Sequence, residues 1–247
     1  MARDLRRRKA RERNGLFVAE GVRTVEELVR SPLMIEGALC TPEAAAEGRS
    51  AALVTALEAR GVIVTRVPDA EFDTAADTEN SQGVLAIAHQ PARSLTALTL
   101  GQTVRFLVLD GIQDPGNVGT LVRTAAALGA TALVALPGTV DLWNAKVVRS
   151  AVGTQFQFPA LDVGPAELTA FLVAQRIELW GTDAGSTPLG ELTPPERLAV
   201  AMGNEGAGLS AALRAQCSHV VSLPMAPGVE SLNVAVAAGI TLYALRP

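Results

Sequence analysis

Apolar and polar positions change period repeatedly along this chain. Val22, Val25, Leu28 and Val29 recur at helical spacing within residues 21–30, which predicts a short amphipathic helix. Residues 51–59 predict a second helix that stops at Gly61, residues 62–67 alternate as a strand, and residues 84–88 predict another. From residue 104 onward strands and helices take turns. Strands are expected at 105–109, 131–136, 157–161, 178–182, 198–202 and 220–223, and helices at 117–128, 142–152, 166–176, 210–217 and 231–245. Such alternation builds a mostly parallel sheet covered on both faces. The last helix carries no charge from Ser231 through Leu245, and a helix that is apolar all round is expected to be buried.

The pattern divides the chain into four parts. Residues 1–13 form a basic arm, 14–92 a small α/β domain, 93–103 a linker within the Pro, Ser, Thr and Gly mixture of 91–103, and 104–247 a larger α/β domain. No internal repeat or low-complexity tract stands out.

Composition narrows the function classes. With 247 residues, 49% hydrophobic and 19% charged, disorder and membrane insertion are both poor readings. Aromatics at 4% leave little material for rows of base-stacking rings. Cys40, Cys217, His89 and His219 lie far apart without CxxC or HxxxH spacing, so no metal site or disulfide framework is expected. No apolar run follows the N-terminal arginines, so the expected location is a reduced cytoplasm. Net charge is −4 overall, yet Arg3, Arg6, Arg7, Arg8, Lys9, Arg11 and Arg13 outnumber Asp4 and Glu12 in residues 1–13. That asymmetry suits phosphate contacts. A solvated helix start is the alternative.

Three clusters sit at predicted strand ends, where open parallel sheets bind ligands. The first runs from Asp110 through Gly119 into Arg123-Thr124-Ala125. Asn117 is placed there to cap the following helix. Arg123 is the sole charged residue from Pro115 through Val140 and needs an acceptor; an internal pair with Asp110 or Asp114 competes with a substrate contact. Neither a nucleotide P-loop nor GxGxxG spacing is present. The second cluster, Gly203-Asn204-Glu205-Gly206-Ala207-Gly208, holds Glu205 between flexible points, and reads equally as a strand-to-helix turn. The third, Leu223-Pro224-Met225 with Glu230-Ser231-Leu232-Asn233-Val234, places Ser231 and Asn233 at the positive end of the last helix. Plain N-capping explains Ser231 well and Asn233 less well.

Taken in order, these clusters resemble the three signature motifs of the SpoU (TrmH) family, over about residues 104–247. The resemblance implies an S-adenosylmethionine-dependent methyltransferase acting on the ribose 2'-hydroxyl of RNA, with ribosomal RNA favoured and transfer RNA open. It implies a C-terminal α/β domain with a deep trefoil knot, a homodimer, and a small N-terminal ribosomal-protein-like α/β substrate-binding domain marked by residues 17–21 and 80–83. By motif position Gly203, Leu223, Met225 and Leu232 are expected at the cofactor, and Asn117, Arg123, Glu205, Ser231 and Asn233 at the reacting groups. Proposals for the family make the arginine a general base. With a pKa above 12, a neutral guanidine at pH 7 costs at least about 7 kcal/mol, so Arg123 is expected chiefly to orient the hydroxyl and its phosphate and to stabilise developing charge. A non-catalytic RNA-binding factor with the same fold and a dinucleotide-dependent oxidoreductase are the competing functions.

Overall fold

The computed structural model describes residues 1–78, 80–229 and 231–246. Its first half holds helix α1 (Arg8–Asn14), strand β1 (Leu16–Glu20), α2 (Val22–Arg30), β2 (Ile35–Cys40), α3 (Pro42–Ala46), α4 (Gly48–Ala59), β3 (Val64–Arg66), α5 (Asp69–Ala75) and β4 (Val84–His89). The sheet runs in the order β1-β4-β2-β3, with β4 antiparallel to both neighbours and β2 parallel to β3. Strand β2 escapes sequence reading because Glu36 and Gly37 dilute its strand character.

Residues 1–13 are not a free arm. Ala2 and Leu5 are buried with Leu16, Val18, Phe72 and Leu85 in one apolar cluster. Arg11 is buried, and its Nη1 donates to the carbonyls of Leu5 at 2.7 Å and Arg6 at 2.8 Å. Arg6 donates to the Ala76 carbonyl, and Arg8 pairs with Glu12 at 2.7 Å. Arg11 is thus spent inside the fold, while Arg3, Arg6, Arg7 and Arg8 bond or lie at its surface and stay exposed. Lys9 and Arg13, one turn apart on α1, remain exposed.

The chain continues with β5 (Val104–Asp110), α6 (Pro115–Ala127), β6 (Ala132–Ala135), α7 (Ala145–Ser150), β7 (Ala160–Asp162), α8 (Pro165–Ala174), β8 (Glu178–Pro188), β9 (Arg197–Gly203), α9 (Ala211–Arg214), β10 (His219–Ser222) and α10 (Val234–Ala244). Six strands form one sheet in the order β10-β8-β9-β5-β6-β7, parallel throughout. Alternation along β5 sends Val104, Phe106 and Val108 into a core shared with Leu168 and Leu172 of α8 and Leu213 of α9. Arg105 points to the opposite face. Its buried guanidinium donates to the carbonyls of Leu245 (2.8 Å), Val104 (2.9 Å) and Glu196 (2.7 Å), and burial pulls its pKa below the ordinary arginine value. A cation at the C-terminal end of α10 also complements the helix dipole.

Two boundaries differ from the sequence reading. Residues 93–103 are no loose linker, since Leu95 is buried and Leu98 and Leu100 pack on the second core. The compact units are Met1–Ala92 with Trp143–Gln157, and Arg93–Leu142 with Phe158–Pro247. Within the first unit, Phe17 of β1 meets Trp143 at 4.6 Å and Phe156 at 5.4 Å between ring centroids. Arg149 of α7 lies 3.8 Å from the buried carboxylate of Glu20 and 3.5 Å from Asp77. An apolar, aromatic stretch inside an otherwise continuous domain gave no local signal that it packs with β1.

Candidate active site

The carboxyl ends of β5, β8, β9 and β10 are where the three motif loops meet. Asp114, rather than Asn117, caps α6, accepting the Asn117 backbone N–H at 2.7 Å. This leaves the Asn117 side chain free. Its Nδ2 donates to Glu205 Oε1 at 2.9 Å, and its Oδ1 accepts from Asn233 Nδ2 at 3.0 Å. Asn233 is itself the cap of α10, its Oδ1 accepting from the N–H of Ala235 at 2.9 Å and of Val236 at 3.4 Å. Every amide in this relay has its orientation set by the next group, and the chain ends on a helix N-terminus. Asn117 of the first motif is thus tied to one residue from each of the other two.

The expected start of the last helix is corrected accordingly. Helix α10 begins at Val234, so Ser231 lies in the preceding loop rather than at the cap, while Glu230 falls outside the described residues. Nor is the helix buried all round: Val236 (51% exposed), Ile240 (45%) and Tyr243 (58%) form a bare stripe. Beside this stripe the helix packs on α6, where a Cβ at Gly239 would stand 3.4 Å from Thr124 Cγ2.

The Glu205 loop folds back tightly. Asn204 and Gly208 exchange two backbone hydrogen bonds of 2.9 Å, Asn204 Oδ1 accepts the N–H of Gly206 and Ala207 at 3.0 Å, and its Nδ2 donates to the Gly111 carbonyl at 2.8 Å. A Cβ on Gly203 would lie 2.3 Å from the Gly208 carbonyl carbon, so no larger residue fits. Asp110 Oδ2 accepts the Ser210 N–H at 2.7 Å, holding the loop's exit against β5.

A cavity of about 260 Å³ opens beside this loop. Gly203, Leu223, Met225 and Leu232 line it, together with Glu205 and Ser231. Asn117 and Asn233 reach it through Glu205. Arg123 does not: it is exposed on α6, away from the lining, with no hydrogen bond or ion pair among the described residues, so the internal pair with Asp110 or Asp114 is absent. Sequence reasoning also missed Thr182, Asp183, Leu189 and Thr241, which complete the walls. The signal available was the Asp183-Ala184-Gly185-Ser186 run directly after a strand. Among described residues the lining contains two carboxylates, Asp183 and Glu205, and no basic side chain. Such a cavity repels phosphates and suits a neutral or cationic ligand.

Comparison with known proteins agrees with the motif geometry. The SpoU rRNA Methylase family matches residues 105–243, and the MRM3-like substrate binding domain matches residues 1–86. The chain belongs to the SpoU rRNA methylase family. Among its relatives is the 23S rRNA (guanosine(2553)-2'-O)-methyltransferase RlmP of Bacillus subtilis, 34% identical over 243 residues, covering 98% of this chain and 93% of the relative. The 23S rRNA (uridine(2479)-2'-O)-methyltransferase of Streptomyces viridochromogenes is 30% identical over 243 residues, covering 96% and 84%. The SpoU methyltransferase AviRb of that organism, solved in complex with AdoMet, superimposes with a TM-score of 0.88 at 29% identity, covering 99% of this chain and 94% of that one. The matched SpoU region runs from Arg105 in β5 to Tyr243 in α10, so all three motif loops lie inside it.

Proposed function

We propose that this SpoU chain transfers a methyl group from S-adenosylmethionine to a ribose 2'-hydroxyl of 23S ribosomal RNA. The observation that carries the reading is the Glu205–Asn117–Asn233 relay at the rim of a cavity without basic side chains. The residues present fit the cofactor: Leu189, Leu223 and Leu232 offer apolar wall for a purine, and two carboxylates suit a donor bearing a sulfonium and an ammonium. Bound there, the cofactor supplies a methyl group already activated on sulfur. The chain's task is then to bring the hydroxyl in line and receive its charge. Ser231 at the cavity wall and the relay-held Glu205 border the approach of the sugar. No polar residue of the three motifs is missing, which favours an enzyme over a non-catalytic RNA-binding factor.

Arg123 enters this reading through a second copy of the chain. Its guanidinium has no partner among the described residues, and the bare stripe of Val236, Ile240 and Tyr243 offers an apolar face for a homodimer. Across that face a partner's arginine would orient the hydroxyl and its phosphate. The reading also includes a trefoil knot formed by the segment from β10 into α10, supported by the likeness to SpoU structures.

The test is methyl transfer from labelled cofactor to 23S rRNA and to transfer RNA, with mapping of newly blocked 2'-positions. Incorporation into 23S rRNA supports the proposal, and labelling of transfer RNA alone refutes the substrate. Arg123→Ala should be inactive. Mixed with a variant disabled in the cofactor cavity, it should regain activity if the arginine acts across the dimer; no recovery refutes that placement.

A further inference from the structure

Strands β8 and β10 pair at Trp180↔His219 and Gly181↔Val220, and resume at Thr187↔Val221 and Pro188↔Ser222. Residues 182–186 therefore have no partner on β10 and form an irregularity within β8. Irregularities of this kind re-aim side chains. Both ends of the excursion are fixed. Thr182 Oγ1 donates to the Ala201 carbonyl at 2.8 Å and touches Met202 Sδ at 3.4 Å, while Ser222 Oγ donates to the Ser186 carbonyl at 2.7 Å. Gly185 turns the chain between them at φ +72°.

The excursion puts Asp183 into the wall of the cavity. Arg214 of α9 bonds one carboxylate oxygen, Oδ2, and does not itself line the cavity. Oδ1 has no hydrogen-bond partner among the described residues. Glu205, the other carboxylate of the lining, already receives the Asn117 amide. Glu205 likewise keeps Oε2 without a hydrogen bond among the described residues, but its Oε1 belongs to the motif relay; Asp183 stands outside that relay, with its rotamer set by Arg214.

We infer that Asp183, aimed by Arg214, is the subsite for a positively charged group of the methyl donor. The inference rests on the proposed function for its ligand and adds the residue that senses the ligand's charge. A carboxylate attracts a nearby cation, through a charge-assisted hydrogen bond where the cation carries N–H groups and through coulombic contact alone where it does not. Two cations on the donor share this chemistry, the sulfonium and the α-ammonium, and a ligand series separates them. S-adenosylmethionine carries both, S-adenosylhomocysteine only the ammonium, and 5'-methylthioadenosine neither.

The experiment is calorimetric titration of the full chain and of Asp183→Asn and Arg214→Met with the three ligands, each variant's melting temperature being recorded. Asp183→Asn should weaken S-adenosylmethionine roughly tenfold, the scale of one charge-assisted bond, and leave 5'-methylthioadenosine within about twofold. Loss for S-adenosylmethionine alone assigns the sulfonium, and loss shared with S-adenosylhomocysteine assigns the ammonium. Arg214→Met frees the Asp183 rotamer while removing a cation that competes for it, so the charged ligands should weaken by about two- to threefold, less than in Asp183→Asn, with 5'-methylthioadenosine within about twofold. A pair that merely latches the excursion would instead make both variants weaken all three ligands alike. That result, or unchanged binding by Asp183→Asn, overturns the inference. Failure of the unaltered protein to bind any of the three overturns the cofactor reading instead.

Discussion

Replacing Asn233 tests the relay most sharply, because its side chain does two separable things. Its Oδ1 caps α10 through the Ala235 and Val236 N–H groups, and its Nδ2 holds Asn117. Asn233→Ala removes both. Loss of the cap costs about 1 kcal/mol, and loss of one exposed hydrogen bond about 0.5–1 kcal/mol more. The sum, roughly 1.5–2 kcal/mol, lowers the melting temperature by about 4–6 °C for a chain of this size. Asn233→Asp keeps the cap, since aspartate accepts the same N–H groups and its charge suits the helix N-terminus. It cannot donate to Asn117. Two oxygens would then face each other where 3.0 Å now separates donor from acceptor, and the Asn117 amide would turn its oxygen toward Glu205. Thermal melting of the two variants, with single-turnover methylation on the same RNA, separates the roles. Asn233→Asp should melt within about 2 °C of the unaltered chain yet lose most of its methylation rate. If it melts as low as Asn233→Ala, the cap is wrongly assigned; if it methylates at full rate, the relay has no bearing on the chemistry.

Three further outcomes are expected. Gly203→Ala forces a Cβ to within 2.3 Å of the Gly208 carbonyl carbon, so the loop must move; cofactor affinity measured by calorimetry should fall by more than tenfold. Arg105→Ala strands buried carbonyls at Leu245 and Glu196 and should cost roughly 3 kcal/mol in urea unfolding, with Lys at this position recovering only part. The double change Lys9→Glu and Arg13→Glu leaves the buried part of the N-terminal segment intact and should flatten the salt dependence of RNA binding by about two contacts, read as the slope of log affinity against log salt.

How far the sequence carried the structure depends on the range of the forces involved. The parallel strands of the second unit were legible because burial on both faces writes an apolar run, as in β5, into adjacent positions. The motif loops were legible for the same reason: Gly203 and the residues around Asn117 and Asn233 lie close together along short stretches. What failed was anything set by distant partners. Asp114 and Asn117 compete for one cap, and only the Glu205 carboxylate, 88 residues on, shows why Asn117 is not used for it. Arg11 reads as a surface charge until two carbonyls are seen to enclose it. Asp183 sits where a strand was expected to end, and its inward aim follows from a register shift against β10 that no local pattern encodes.

The placement of residues 143–157 bears on how this chain can be divided. A gene cut after residue 92 would release a fragment in which Phe17 has lost the Trp143 and Phe156 rings, and in which buried Glu20 has lost the Arg149 guanidinium. The complementary fragment would carry fifteen residues shaped to fit a surface that is no longer attached. Exchange of the N-terminal unit between relatives therefore requires two simultaneous replacements, and a recombinant joined at a single crossover inherits a mismatched patch.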